Sequence, residues 1–73
     1  MKPYNKRLSE LRTDHDLTQK AVSEICNVSD ASVGHWEKGV REISIDCLIK
    51  LAKFYNVSVD YILGLTDNKQ KFW

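Results

Sequence analysis

The chain has 73 residues, of which 42% are hydrophobic and 29% are charged, and 11 Lys and Arg against 10 Asp and Glu give a formal net charge of +1. This length makes one small domain and leaves no room for a catalytic domain beside a binding domain, so we expect no enzyme. The composition can form a buried core and excludes a disordered chain. The near-neutral charge, unlike a high pI, gives no electrostatic sign of a nucleic-acid partner.

The sequence carries no signal for membrane insertion or secretion. No run approaches the roughly 20 apolar residues of a membrane span, and the first residues lack the apolar stretch of a signal peptide. We expect a cytoplasmic protein with no membrane partner. Cys26 and Cys47 are the only cysteines, and neither belongs to a metal-binding pattern. We expect both to be buried, reduced thiols, with a disulfide or a metal site as the alternative, and we expect no cofactor.

Five helices are predicted in chain order, because apolar residues recur at intervals of three and four, the period of a helix. In the first, Tyr4, Leu8 and Leu11 show this spacing, and the longer fourth helix repeats it. The predicted helices cover roughly residues 4–14, 19–26, 30–38, 45–55 and 59–63.

The last four predicted helices each follow a Ser or Thr that can cap the first turn through its hydroxyl. The residues one before and four after each cap are apolar, as in a hydrophobic staple. The caps are Thr18, Ser29, Ser44 and Ser58, and the staple pairs are Leu17 with Val22, Val28 with Val33, Ile43 with Leu48, and Val57 with Ile62. Left-handed C-terminal positions are predicted at Asn27, Gly39, Asn56 and Gly64.

Residues 18–38 are predicted to form a helix-turn-helix, whose second helix can enter the major groove of DNA. Further motifs are Arg7-Leu8, Leu11-Arg12, Leu17-Thr18-Gln19, Val28-Ser29, Trp36-Glu37-Lys38-Gly39, Arg41-Glu42, Leu51-Ala52-Lys53 and Asp60-Tyr61-Ile62-Leu63-Gly64. Together they resemble the lambda-repressor-like, or Cro/repressor-type (XRE), helix-turn-helix family over about residues 6–65. The resemblance implies an all-α, compact five-helix DNA-binding domain over residues 1–65, with a short tail over 66–73.

The resemblance also implies several DNA phosphate contacts. Gln19 matches a position that in this family hydrogen-bonds a phosphate at the start of the second helix. Ser29, Lys38 and Arg41 are further phosphate candidates, and for the last two a plain solvated loop is the alternative. Arg12 and Glu37 match a pair that forms a salt bridge between the first and third helices in relatives, and we assign that pair a structural role.

Val33 and Trp36 are predicted to face the core, so the opposite face of the third helix points outward. By resemblance, the positions on this outward face match the base-reading surface of the family. The base-reading candidates are Asp30, Ala31, Ser32, Gly34 and His35. This face lacks the usual long readers Arg, Gln and Asn. Asp30 has a second explanation in the helix macrodipole. Gly34 indicates either close backbone approach to a partner or a marginal helix.

The resemblance implies a sequence-specific transcriptional regulator, a repressor that binds a palindromic double-stranded DNA operator as a homodimer, with the third helix in the major groove. Tyr61, Leu65, Phe72 and Trp73 are the candidates for dimer contacts, and the tail is expected to be loose or docked in a dimer. His15 and His35 have no neighbours that suggest a catalytic constellation, so we expect no catalytic residues.

The alternative function is a protein-interaction module, such as an antitoxin or an accessory protein, that keeps the fold with weak DNA binding. It would bind a toxin or an antirepressor protein. Asp30, Ala31 and Gly34 favour it, because they stand on the third helix where long base readers are usual. Residues 18–42 also carry three basic against four acidic side chains, a net charge of −1, which does not suit a non-specific DNA binder.

Overall fold

The computed structural model describes residues 3–69, which form five α-helices and no strand. The helices are α1 (Pro3–Asp14), α2 (Gln19–Cys26), α3 (Asp30–Lys38), α4 (Ile45–Tyr55) and α5 (Val59–Ile62). Every predicted boundary lies within one residue of the observed one, so the all-α, five-helix prediction is confirmed. Phe72 and Trp73, two of the dimer candidates, lie outside the described residues.

The starts of α2 to α5 are set by the predicted hydroxyl caps, which are confirmed. Each cap residue has an extended backbone, and its side-chain oxygen accepts a hydrogen bond from the backbone N–H three residues later. Asn27 and Asn56 end α2 and α4 in the left-handed region, with φ of 58° and 62°. Each Asn-Val-Ser segment therefore closes one helix and opens the next within three residues.

The hydrophobic core is a single cluster to which all five helices contribute. Its largest fully buried apolar side chains are Val33, Leu51 and Ile62. Burial of a side chain of this size stabilises the fold by about 1.5–3 kcal/mol. The staple residues that precede the caps also pack on this cluster: Leu17, Val28 and Ile43 are partly buried against it and Val57 is buried within it.

The position of α3 is fixed by packing against α1 and α2, while α4 packs on α2 and α5. Val33 and Trp36 are 1% and 5% exposed, so the inward orientation predicted for both is confirmed. The opposite side of α3 consequently faces away from the core, which is the orientation that a groove-binding helix requires.

The two cysteines are free and buried, as predicted. The Cys47 thiol lies 3.9 Å from the backbone carbonyl oxygen of Cys26, and burial raises the pKa of the Cys26 thiol to about 12. Residues 3–69 hold no cluster of three or more His, Cys, Asp or Glu side chains that could bind a metal ion. In the same part of the chain, every helix is too short or too polar to span a membrane.

Candidate nucleic-acid interface

The outward face of α3 presents the base-reading candidates at its surface. Ala31 and Asp30 are exposed, and Ser32, Gly34 and His35 are partly exposed. Residues three and four apart lie on one side of a helix, so Ala31, Gly34 and His35 share a face. Small side chains dominate this face, which gives the backbone of α3 close access to a binding partner.

Asp30 contacts α2 as well as solvent. The hydroxyl of Ser23, itself 2% exposed, lies 2.8 Å from Asp30 Oδ1 and 2.6 Å from the backbone oxygen of Lys20. One carboxylate oxygen of Asp30 is thereby engaged in joining α3 to α2. Together with its place in the first turn of α3, where the helix dipole stabilises an anion, this contact favours the structural interpretation of Asp30 over base reading.

Ser29 and Ser32 form a small polar cluster at the exposed start of α3. The Ser29 hydroxyl accepts from the Ser32 backbone N–H at 3.3 Å, and the two side-chain oxygens lie 3.0 Å apart. One hydroxyl donates to the other in the free protein, so the hydrogen of the accepting hydroxyl stays available for a phosphate oxygen.

Arg12 and Glu37 form a bidentate ion pair between α1 and α3. Arg12 Nε donates to Glu37 Oε2 at 2.7 Å and Arg12 Nη2 donates to Glu37 Oε1 at 3.1 Å. The side chains are 17% and 9% exposed, and the hydrogen bond to Glu37 raises the pKa of Arg12. Arg12 Nη1 also donates to the Leu17 carbonyl at 2.9 Å. The pair thus fixes the segment that leads into α2.

Gln19 joins the same cluster, which the sequence did not indicate. Its Nε2 donates to Glu37 Oε1 at 3.2 Å, between residues 18 positions apart, and no local pattern reveals such a contact. The Gln19 amide also lies over Gly34, where an added Cβ would meet Gln19 Oε1 at 3.5 Å. Because 3.5 Å is an ordinary van der Waals separation, the free protein does not itself require glycine at this position.

Lys38 and Arg41 flank the left-handed residue that ends α3. Gly39 has φ of 78°, and the backbone N–H groups of Val40 and Arg41 donate to the His35 carbonyl. Both basic side chains are exposed, and neither takes part in an ion pair within residues 3–69. They are therefore available for contacts with phosphate.

Asn5 supports this loop from beneath, a role that sequence analysis missed. Asn5 is 1% exposed, and a Cβ added to Gly39 would overlap its side-chain amide. The overlap and the positive φ together require glycine at position 39. The sequence shows only a polar residue beside Tyr4, and the burial of Asn5 is seen only in the structure.

The dimer candidates within the described residues differ in their surroundings. Tyr61 is partly buried, and the Arg7 guanidinium lies 4.0 Å from its ring centroid. The same guanidinium donates to Asp67 at 2.9 Å, which brings the first part of the tail to α1. Leu65 is 74% exposed, so it is the candidate that is available to a partner surface.

Two curated proteins similar to this chain are regulators of transcription by name. The chain is 43% identical over 65 residues to the uncharacterized HTH-type transcriptional regulator YobD of Bacillus subtilis, covering 89% of this chain and 58% of that protein. It is 38% identical over 66 residues to the HTH-type transcriptional regulator ImmR of the same organism, covering 90% and 52%. The chain therefore spans about half the length of these relatives.

Two further proteins bear on the choice between functions. The antitoxin PezA of Streptococcus pneumoniae is 32% identical over 59 residues, covering 81% of this chain and 37% of that protein. The P22 c2 repressor protein, crystallised in complex with a synthetic operator, superimposes with a TM-score of 0.78 at 25% identity, covering 86% of this chain and 96% of that chain.

The family model described as Helix-turn-helix (HTH_3) matches residues 8–62, a span that begins in α1 and ends in α5. This match agrees with the two capped helices α2 and α3, which form the helix-turn-helix. It also agrees with the superposition on the P22 c2 repressor. The chain belongs to the XRE-type helix-turn-helix family.

Proposed function

We propose that this chain is a cytoplasmic, sequence-specific transcriptional repressor that binds a palindromic double-stranded DNA operator as a homodimer, with α3 in the major groove. The observation that carries the proposal is the outward face of α3, which is bordered by Gln19 at one side and by exposed Lys38 and Arg41 at its end. The P22 c2 repressor, similar in fold along nearly its whole length, was crystallised with an operator, and this supports the proposal.

Gln19, Ser29, Lys38 and Arg41 contact phosphates in this proposal, and the face of α3 contacts base edges. The methyl group of Ala31 suits a thymine methyl, and the His35 ring can donate to guanine. Ser32 adds a hydroxyl, Gly34 allows close approach of the backbone, and Asp30 acts at the edge of this surface. The domain that does this spans residues 1–65, and residues 66–73 form a short tail that is loose or docks in the dimer.

The negative formal charge of residues 18–42 is compatible with DNA binding because of where the charges lie. Glu37 is paired with Arg12, and Asp30 accepts a hydrogen bond from Ser23. The exposed cations Lys38 and Arg41 stand at the loop after α3. Few phosphates are neutralised by such a surface, so we expect an affinity that depends only modestly on salt.

Selection of bound duplexes from random DNA, followed by affinity measurements across a salt series, tests the proposal. We expect enriched sequences with two inverted half-sites whose centres lie about 34 Å apart, one helical turn. We also expect a shallow but measurable decrease of affinity with salt. An absence of sequence preference together with a salt slope near zero would contradict a DNA-binding function.

The second candidate function is a protein-interaction module of the antitoxin or accessory type. It is favoured by the absence of Arg, Gln and Asn from the outward face of α3 and by the similarity to PezA. In this case the toxin or antirepressor partner, rather than an operator, would account for the activity of the chain. Failure to enrich any DNA sequence in the same selection is the result that would favour it.

A further inference from the structure

We propose that Glu37 is a positioning residue for DNA binding: its carboxylate, fixed by Arg12, orients the Gln19 amide so that one N–H faces the phosphate backbone. The inference rests on the proposed function, because the phosphate contact of Gln19 is part of that function. It assigns to the Arg12 and Glu37 pair a role in binding beyond its structural role between α1 and α3.

The chemistry of the Glu37 contact fixes which end of the Gln19 amide faces inward. Gln19 Nε2 lies 3.2 Å from Glu37 Oε1. An ionised carboxylate can only accept hydrogen bonds, so the amide nitrogen and not the amide oxygen must face it. The amide nitrogen carries two hydrogens, and donation of one to Glu37 leaves the other for a phosphate oxygen.

The carboxylate is itself rigidly placed. Arg12 donates to both of its oxygens, at 2.7 Å and 3.1 Å, and donates through Nη1 to the Leu17 carbonyl two residues before Gln19. The Glu37 side chain is only 9% exposed. One guanidinium therefore fixes both the carboxylate and the segment from which Gln19 extends. An ordered Gln19 has less side-chain entropy to lose when it binds a phosphate.

Positioning and simple electrostatics predict opposite effects of removing the Glu37 charge. An anion close to DNA repels phosphates, so electrostatics alone predicts tighter binding when Glu37 is neutralised. Positioning predicts weaker binding, because a neutral amide at position 37 can turn either its oxygen or its nitrogen toward Gln19. The sign of the change therefore distinguishes the two explanations.

The test is a double-mutant cycle of Glu37→Gln and Gln19→Ala. Affinity is measured with the best duplex from the random-DNA selection and with a duplex of unrelated sequence. The control is Glu24→Gln, which removes the same charge from an exposed position of α2. We expect Glu37→Gln to weaken binding about tenfold in the wild-type background and less than about twofold in the Gln19→Ala background.

Tighter DNA binding by Glu37→Gln, the effect that charge removal alone predicts for the Glu24→Gln control, would overturn the inference. An equal loss of affinity in the wild-type and Gln19→Ala backgrounds would also overturn it. If Glu37→Gln does not fold, Glu37→Asp replaces it. The aspartate keeps the charge for Arg12 but is shorter by one methylene and loses the reach to Gln19. The same loss of affinity, dependent on Gln19, is expected.

A measurement without DNA separates this inference from the proposed function. We expect an NMR order parameter above about 0.6 for the Gln19 side-chain amide in the free wild-type protein and a lower value in Glu37→Gln. An order parameter that Glu37→Gln leaves unchanged would overturn the positioning role, even if the wild type binds its operator. Failure of the wild type to bind any duplex would instead overturn the proposed function and, with it, the phosphate contact of Gln19.

Discussion

Lys38 and His35 differ in what each side chain can contact on DNA, although both lie in the last turns of α3. Lys38→Ala should weaken binding to all duplexes similarly and reduce the salt slope by about one, because it removes one phosphate contact. His35→Ala should instead change which bases are preferred, with a discrimination loss of about 1–3 kcal/mol at one position. Competition assays with single-base operator variants measure both effects. A uniform loss for both variants would contradict the base-reading role of His35.

Replacement by alanine should have opposite effects on stability at Gly34, within α3, and at Gly39, which ends α3. At Gly34 a Cβ meets only the Gln19 amide at an ordinary distance, so Gly34→Ala should stabilise the fold by about 0.5–1 kcal/mol. At Gly39 the φ of 78° and the overlap with Asn5 should make Gly39→Ala destabilising by about 2 kcal/mol or more. Urea denaturation measures both, and the same sign of change at the two positions would contradict this explanation.

Some side-chain contacts could be predicted from the sequence and others could not. The Arg12 and Glu37 pair was expected from family resemblance, because both residues match motif positions. The contacts of Gln19 with Glu37 and of Asp30 with Ser23 depend on how α2 and α3 are juxtaposed. The spacing of apolar residues in a sequence predicts which face of a helix is buried, but it does not predict which residue of a neighbouring helix that face contacts.

Helix boundaries, in contrast, were predicted almost completely, because those from α2 onward are set mainly by interactions within five residues of the chain. Ser44 and Ser58 illustrate this, since each hydroxyl accepts from the N–H three residues later and each is preceded by an apolar residue that packs on the core. The end of α5 was predicted one residue late. Leu63 has a right-handed helical conformation just beyond it, so local backbone geometry gave no sharper limit there.

The cap of α5 should contribute more stability than the cap of α2. Ser58 is 2% exposed and accepts from the Tyr61 N–H at 3.0 Å in a partly buried bond, so water replaces this bond less readily in Ser58→Ala. Thr18 is exposed and accepts from Ala21 at 3.0 Å, and water can reach that donor. We expect losses of about 2 kcal/mol for Ser58→Ala and about 1 kcal/mol or less for Thr18→Ala in urea denaturation. The reverse order would show that burial does not govern these caps.

At the scale of the whole molecule, self-association can be tested at Leu65. This side chain is 74% exposed just after α5, and contact with a second copy would remove its apolar surface from water. In the proposed homodimer, Leu65→Asp should raise the dissociation constant at least about tenfold, since it places a charge in an apolar contact. Sedimentation equilibrium measures this constant, with the neighbouring exposed Asp60→Asn as a control. An unchanged constant for Leu65→Asp would remove Leu65 from the interface.

Stability at high pH tests the core as a unit, because two of its side chains, Cys26 and Tyr55, keep their protons to a higher pH in the folded chain than in the unfolded chain. Burial raises the pKa of Cys26 from 9.0 to about 12 and that of Tyr55 from 10.0 to about 12. Between pH 9 and 12 the unfolded chain releases the Cys26 proton and the folded chain retains it. The free energy of unfolding should therefore decrease as the pH rises.

The expected slope is about 1.4 kcal/mol per pH unit from the Cys26 thiol above pH 9, and about twice that once Tyr55 also titrates above pH 10 in the unfolded chain. Urea denaturation at intervals from pH 8 to pH 11 measures it. Cys26→Ala removes the thiol contribution, so its stability should be nearly independent of pH between 9 and 10 and should fall only as Tyr55 titrates. An identical pH dependence in the wild type and in Cys26→Ala would show that the thiol does not retain its proton in the folded core.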